Sequence, residues 1–226
     1  MAELPEHLHR AFFRAMSLLS PRGQGVFLRR YFDWWHRTPD PWKLGTDAYE
    51  RRKYDTTLGE VPRLPYRRIL EVGCAEGVFT DTLVRRFPEA RVTGIDISAR
   101  ALDRARQRAA RARFVHADLL SHGLEEEFDL VFCAETLYYI GRADRLRRAS
   151  RRLTGLLADG GVLVLVHPWP EARSLHRFAD EDPAVWLIAR RVDTETHRPF
   201  AVAVYRKPDQ AAGEVAASRE GDRLPE

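Results

Sequence analysis

An apolar run that ends in a cluster of small residues, with a helical pattern starting directly behind it, leaves a chain few ways to fold. Residues 67–77 read RRILEVGCAEG: Ile69, Leu70 and Val72 are strand-like, and Gly73, Cys74, Ala75, Glu76 and Gly77 form the turn. Val78, Phe79, Leu83, Val84 and Phe87 then recur at helix spacing. Strand, glycine turn and helix open a nucleotide-binding βα unit, because glycine permits a sharp bend and a close approach of ligand to main chain. The helix behind the turn offers free N–H groups and the positive end of its dipole. A second apolar run, RVTGIDIS, ends in Asp96, which is placed to accept from two ribose hydroxyls.

Glycine spacing narrows the ligand. The dinucleotide fingerprint requires G-x-G-x-x-G, and those places hold Gly73, Ala75 and Val78. The order acidic–apolar–Gly-x-small-x-Gly, here Glu71, Val72, Gly73, Cys74, Ala75, Glu76 and Gly77, resembles motif I of the class I S-adenosylmethionine methyltransferases. Ala75 stands where the middle glycine is usual.

The remaining pattern alternates strand and helix. Leu8, Phe12, Met16 and Leu19 predict a first amphipathic helix, broken at Ser20-Pro21-Arg22-Gly23. A second helix is expected over 25–36, and residues 38–42 should be extended because Pro39 and Pro41 disfavour helix. Thr46 or Asp47 can cap a helix over 48–58 that carries Tyr49, Arg52, Lys53 and Thr56 on one face. Strands are expected at 112–118, 128–134 and 161–167. Between them lies a helix over 142–157 that Gly160-Gly161 would stop. A short helix near 171–180 precedes two closing strands, 185–194 and 200–206. A hairpin at the end of a βαβ chain implies an antiparallel last strand in a mostly parallel sheet. The expected fold is therefore α/β, doubly wound and seven-stranded, with an antiparallel last strand. Residues 1–58 form an N-terminal helical lid, 59–208 the methyltransferase-like domain, and 209–226 a disordered polar tail.

Formal charge is +4 over 226 residues, with Lys+Arg at 37 and Asp+Glu at 33. The arginines are spread over helix faces, so no nucleic-acid partner is expected. Two cysteines, Cys74 and Cys133, form neither a disulfide framework nor a metal pattern, so no metal site is expected. No leader or spanning segment stands out, which predicts a cytoplasmic protein without a membrane partner, monomeric or homodimeric.

Ligands on such sheets bind at the carboxyl ends of the strands, where strand order reverses. Gly73 to Gly77, Asp96, Ile97, Asp118, Leu119, Ala134, Glu135 and His167 all fall there. For S-adenosylmethionine, the glycine turn suits the amino acid end and Asp96 the ribose. Asp118 can accept from the adenine amine, with Ile97 and Leu119 packing the ring. Trp42 and Tyr49 can line the cleft, and a basic residue among 51–53 can meet a carboxylate.

DPW, the YERRKY helix, LEVGCAEGVFT, GIDIS, FDLVFCAETLYYI and the terminal YRKP together resemble the NodS-like methyltransferases over about residues 31–208. The resemblance implies S-adenosylmethionine as cofactor and S-adenosylhomocysteine as product. It places Gly73, Ala75, Phe79, Asp96, Asp118 and Ala134 against the cofactor, with Trp42 and Lys53 closing over it. It also implies methylation of an amine or hydroxyl on a small molecule, a sugar or other natural-product precursor. Glu135 and His167 are the candidate bases, and Tyr138 or Tyr139 can orient the acceptor. A regulatory scaffold that keeps the fold without turnover is the alternative. A nicotinamide oxidoreductase is disfavoured by Ala75, Val78 and the closing hairpin.

Overall fold

The computed structural model describes residues 6–121 and 124–209, so almost all of the expected tail lies outside the described residues. The strands are β1 (Arg68–Val72), β2 (Arg91–Asp96), β3 (Arg113–His116), β4 (Phe128–Ala134), β5 (Leu157–Pro168), β6 (Trp186–Asp193) and β7 (Phe200–Arg206). They form one sheet in the order β3-β2-β1-β4-β5-β7-β6. β1 pairs parallel with β2 and β4, and β4 with β5, whereas β7 runs antiparallel to both β5 and β6. The order reverses between β1 and β4, and the cleft described below opens there.

The sequence explains why this sheet is buried. β5 carries Val162, Leu163, Val164, Leu165 and Val166 in succession, all nearly inaccessible. An unbroken apolar run of this kind suits a strand covered on both faces. On one face, Leu70, Val131 and Leu163 pack with Leu146 and Leu153 of α6 (Ala143–Gly155) and Phe178 of α7 (Ala172–Asp180). On the other, Ile69, Leu130 and Val164 meet Tyr49 of α3 (Ala48–Gly59) and Leu83 of α4 (Val78–Arg86). α5 (Ala99–Arg108) follows β2, capped by the Ser98 hydroxyl accepting from Ala101 N–H.

Four local expectations need correction. Residues 20–23 do not merely break the first helix, α1 (Glu6–Met16); they start the second, α2 (Pro21–Trp35). Ser20 accepts from Gly23 N–H, and Pro21 occupies the first turn, where its missing N–H is harmless. Residues 38–42 are bent, not extended. Asp40 adopts φ 46°, and its carboxylate accepts from Leu44 N–H at 2.6 Å and Gly45 N–H at 3.0 Å. Proline excluded helix there but left a side-chain-stabilised turn open. The buried positions of α3 are Tyr49, Glu50, Lys53 and Thr57, whereas Arg52 turns out to Asp193 and Glu195. Finally, α6 ends at Gly155, and Gly160-Gly161 lie within β5. A Cβ on Gly161 would come 2.7 Å from Ala158 O, so its role is a tight bend in the strand.

α1 and α2 lie across the ends of the strands. Phe13, Leu28 and Phe32 are buried against Trp42, Ile97 and Tyr139. Polar ties span the chain. Gln24 Nε2 donates to Ile140 O at 2.9 Å, its Oε1 accepts from buried Arg145 at 2.7 Å, and Arg145 also donates to Leu19 O. Asp33 accepts from Ser98 Oγ at 2.7 Å. Truncating Gln24 to alanine leaves a buried guanidinium short of a partner and should cost about 1–3 kcal/mol. A urea unfolding curve measures this, and a loss below about 0.5 kcal/mol would mean that the tie is dispensable.

Candidate functional site

A cleft with about 1000 Å³ of empty space, its open mouth included, sits over the carboxyl ends of β1 to β4. Its floor is Val72, Gly73 and Ala75 from β1 and its turn, Ile95 to Ile97 at the end of β2, Ala117 to Leu119 after β3, and Ala134 to Thr136 at the end of β4. Its roof is Leu28, Phe32, His36, Trp42 and Leu44 from the N-terminal segment.

The turn after β1 is built for close approach. Gly73 has φ 77°, and a Cβ on it would run into the Thr136 hydroxyl. Ala75 is left-handed too, at φ 46°, a conformation that costs a non-glycine residue about 1–2 kcal/mol. What holds it is Asp96, whose Oδ2 accepts from Ala75 N–H and whose Oδ1 accepts from Ser98 N–H, both at 2.8 Å. Burial pushes the Asp96 carboxyl upward, while these two N–H groups favour its charged form. Asp118 is fixed by its own loop, accepting from Leu120 N–H at 2.9 Å and Ser121 Oγ at 3.0 Å.

Glu76, in the middle of the glycine turn, is buried and ties the turn to the roof. It accepts from Arg104 at 2.7 Å, from Asp40 N–H at 3.0 Å, and pairs with His36 Nδ1 at 3.0 Å. Burial opposes its charge, but the bonds from His36, Asp40 and Arg104 outweigh that and hold its carboxyl below the usual range.

Beyond β4 the cleft becomes charged. Glu135 takes φ 52°, a strained backbone for glutamate of the kind that clusters at functional sites. Its Oε2 accepts from Tyr138 OH at 3.0 Å, and its Oε1 lies 3.4 Å from Lys53 Nζ. Lys53 is almost fully buried and also meets Glu50 at 3.0 Å. Burial alone would favour the neutral amine, yet Glu135 and Glu50 hold it charged, above the ordinary lysine value. Burial likewise raises Glu50. Arg198, from the β6–β7 loop, completes the group, 3.9 Å from Glu135.

Of the residues expected at the site, Trp42, Lys53, Gly73, Ala75, Asp96, Ile97, Asp118, Leu119, Ala134, Glu135 and Tyr138 line the cleft. Six others do not. Glu71 lies beneath the turn, bonded by the Thr80 hydroxyl at 2.5 Å, and burial raises its carboxyl to about 8. Cys74 points away into the core and packs against Gly94. Gly77 serves helix packing, since a Cβ there would meet Ala105 at 3.0 Å. Phe79 stacks on Tyr54 at 4.8 Å and edges onto Phe132, in the core beside the sheet. Tyr49 is wedged between His197 and Phe200, and burial raises its hydroxyl to about 12.

His167 is the main correction. It is fully buried, and its Nε2 accepts from Leu137 N–H at 3.1 Å. That N–H fixes the tautomer: the proton sits on Nδ1, which faces His176 Nε2 at 2.9 Å. Its lone pair is already engaged, so it is no general base. It holds the 3₁₀ turn Leu137–Tyr139 that presents Tyr138 and Tyr139 to the cleft.

Sequence reasoning missed Glu50, Thr136, Arg198 and His36. Glu50 was readable as the acid one helical turn before Lys53. Arg198 lies in a hairpin loop and carries no local signal.

The sequence profile described as Nodulation protein S (NodS) matches residues 22–180. The chain belongs to the NodS family. Nodulation protein S of Rhizobium tropici is 39% identical over 129 residues, covering 55% of this chain and 53% of that protein. Trans-aconitate 2-methyltransferase of Paracidovorax citrulli is 38% identical over 126 residues, covering 55% of this chain and 47% of that one. These matches span about half the length of the curated relatives. The crystal structure of the N-methyltransferase NodS from Bradyrhizobium japonicum WM9, in complex with S-adenosyl-L-homocysteine, superposes with a TM-score of 0.70 at 27% identity. That likeness covers 80% of this chain and 98% of that one. The sheet order and reversed β7 of this NodS-family chain are those of the class I methyltransferase fold. Among its described residues no three His, Cys, Asp or Glu side chains gather to hold a metal ion, and no helix is long and apolar enough to cross a membrane.

Proposed function

We propose that this chain is an S-adenosylmethionine-dependent methyltransferase acting on an amine or hydroxyl of a small molecule. The observation that carries the reading is Asp96. Asp96 lines the cleft, and each of its two carboxylate oxygens already holds one N–H from the floor. Each carboxylate oxygen accepts about two bonds, so one lone pair per oxygen is left for a pair of neighbouring hydroxyls. The left-handed turn at Gly73 and Ala75 borders the cleft and suits the cofactor's amino acid end. Asp118, Ile97 and Leu119 would hold the adenine, and Trp42 and Lys53 would close over the rest. The bound cofactor supplies an electrophilic sulfonium methyl group.

The chain's own part is to orient, desolvate and deprotonate. α1 and α2 act as the lid that excludes water from the cleft, residues 59–208 being the catalytic domain. Glu135, with Tyr138 on its Oε2, is the group placed to take a proton from the acceptor, and Tyr138 orients it. Lys53 and Arg198 are matched by Glu50 and Glu135, so this end offers no surplus positive charge for a polycarboxylate like trans-aconitate. That balance favours an amine or hydroxyl acceptor.

Calorimetric titration with S-adenosylhomocysteine, and separately with NAD, tests the proposal. Wild type should bind S-adenosylhomocysteine at micromolar concentration or tighter. Asp96→Ala should weaken that binding at least tenfold, about 1.4 kcal/mol. Absence of binding would favour the scaffold alternative, and preference for NAD would favour a dehydrogenase.

A further inference from the structure

α2 turns opposite faces to two different environments. Gln24, Gly25, Leu28 and Phe32 are buried toward the body of the protein. The outward arc carries Arg22, Val26, Arg29, Arg30 and Trp34, all exposed, and is continued by Leu18 and Leu19 just before the helix. Leu18 is 70% exposed, Val26 51% and Trp34 43%, large values for apolar side chains in one short segment. The arginines are equally uncompensated. On α4 and α7, Arg85 and Arg177 pair with acids four residues away, and on α5 Arg106 pairs three residues away. Among the described residues Arg22, Arg29 and Arg30 have no ion-pair partner. The one acid of α2, Asp33, accepts instead from Ser98 Oγ and Arg100 N–H.

Unpaired arginines interleaved with exposed leucine, valine and tryptophan are the chemistry of a helix lying in a lipid headgroup layer. The guanidinium groups take phosphates, and the apolar side chains enter the boundary with the acyl chains. Nucleic acid would use the arginines and Trp34 but has no place for Leu18 and Val26. A second copy of this chain would set like charges against each other. We propose that the outer face of α2, with the Leu18-Leu19 segment before it, docks peripherally on an anionic lipid surface. The absence of a spanning segment, which predicted no membrane partner, does not bear on a contact of this kind. Because the inner face of α2 supplies Leu28 and Phe32 to the cleft roof, such docking puts the roof between lipid and cleft.

The test is cosedimentation of the full chain with vesicles of phosphatidylcholine and phosphatidylglycerol in equal parts, and of phosphatidylcholine alone. At about 0.1 M salt, where the Debye length is roughly 10 Å, binding to the anionic vesicles should be at least tenfold tighter than to the neutral ones. The double variant Arg29→Glu/Arg30→Glu should lose at least tenfold, since each basic residue near such a surface contributes about a factor of five. Leu18→Ser/Val26→Ser should also weaken binding, with every charge intact. Arg29 and Arg30 do not line the cleft, so unchanged S-adenosylhomocysteine binding or an unchanged melting temperature verifies that the charge variant is folded. Equal binding to both vesicle types, no binding to either, or wild-type binding by the charge variant overturns the proposal. So does a single-stranded RNA oligomer that displaces the protein from vesicles, or a dimer that the charge variant abolishes.

Discussion

Gly73→Ala should destabilise the protein by about 2–5 kcal/mol, the sum of left-handed strain and a forced contact. The strain arises because φ is 77° there, and the contact because the new Cβ would meet Thr136. For a protein of this size each kcal/mol moves the melting temperature about 2–4 °C, so the expected drop is on the order of 10 °C. The double variant Gly73→Ala/Thr136→Gly removes the side chain that the new Cβ meets. It should recover the contact part and leave the backbone part, a coupling that a double-mutant cycle in urea reads directly. A drop of under about 2 °C for the single variant would mean that the turn relaxes freely, and that the close approach seen between β1 and β4 is not enforced.

A second large effect is expected on acidification. Burial drives the His167 pKa from 6.5 down to about 3, and burial together with His167 drives His176 well below its ordinary value. The folded pKa lies below the unfolded one, so the unfolded chain binds more protons wherever the pH is under 6.5. Stability from this pair is therefore complete above pH 6.5 and is lost as pH falls toward 3, at up to about 1.4 kcal/mol per pH unit for each group. Glu71 acts in the other sense. Its carboxyl is raised to about 8 by burial, so it adds stability as pH falls from 8 toward its ordinary value of 4.5. His167→Gln isolates the histidine part, because an amide can accept from Leu137 N–H and donate to His176 without titrating. Between pH 6.5 and 4.5, wild type should lose about 2–3 kcal/mol more than the variant. Parallel stability curves for the two proteins would show that burial does not oppose a second proton on His167 in the fold.

How far the sequence could be read depended on whether a feature was local. The alternation of strands and helices and the antiparallel last strand followed from apolar runs, the glycine turn and the closing hairpin, each set by neighbours within a few residues. The floor of the cleft was legible for the same reason: Gly73, Asp96, Asp118 and Ala134 all sit at the ends of strands that the apolar pattern marks. What failed were statements about direction. Cys74 and Phe79 lie in the right segment, but pleat and helix phase turn them into the core, and a one-residue change of phase is invisible in composition. His167 stands at the end of β5 as expected, yet its partners, Leu137 and His176, are 30 and 9 residues away. Such contacts decide whether a histidine is a base or a fixed acceptor, and no local pattern reports them. Gln24, Arg145 and Arg198 were missed likewise, because each acquires its role from a distant loop.

The two cysteines of the chain, Cys74 and Cys133, are both buried, and burial pushes both thiols up, Cys133 to about 12. The folded protein is thus silent toward maleimides and other thiol reagents at neutral pH, which need an accessible thiolate. A single cysteine introduced at exposed Val26 would be its only reactive handle. The position of the helical roof can then be followed with one dye, with no background residue to remove first.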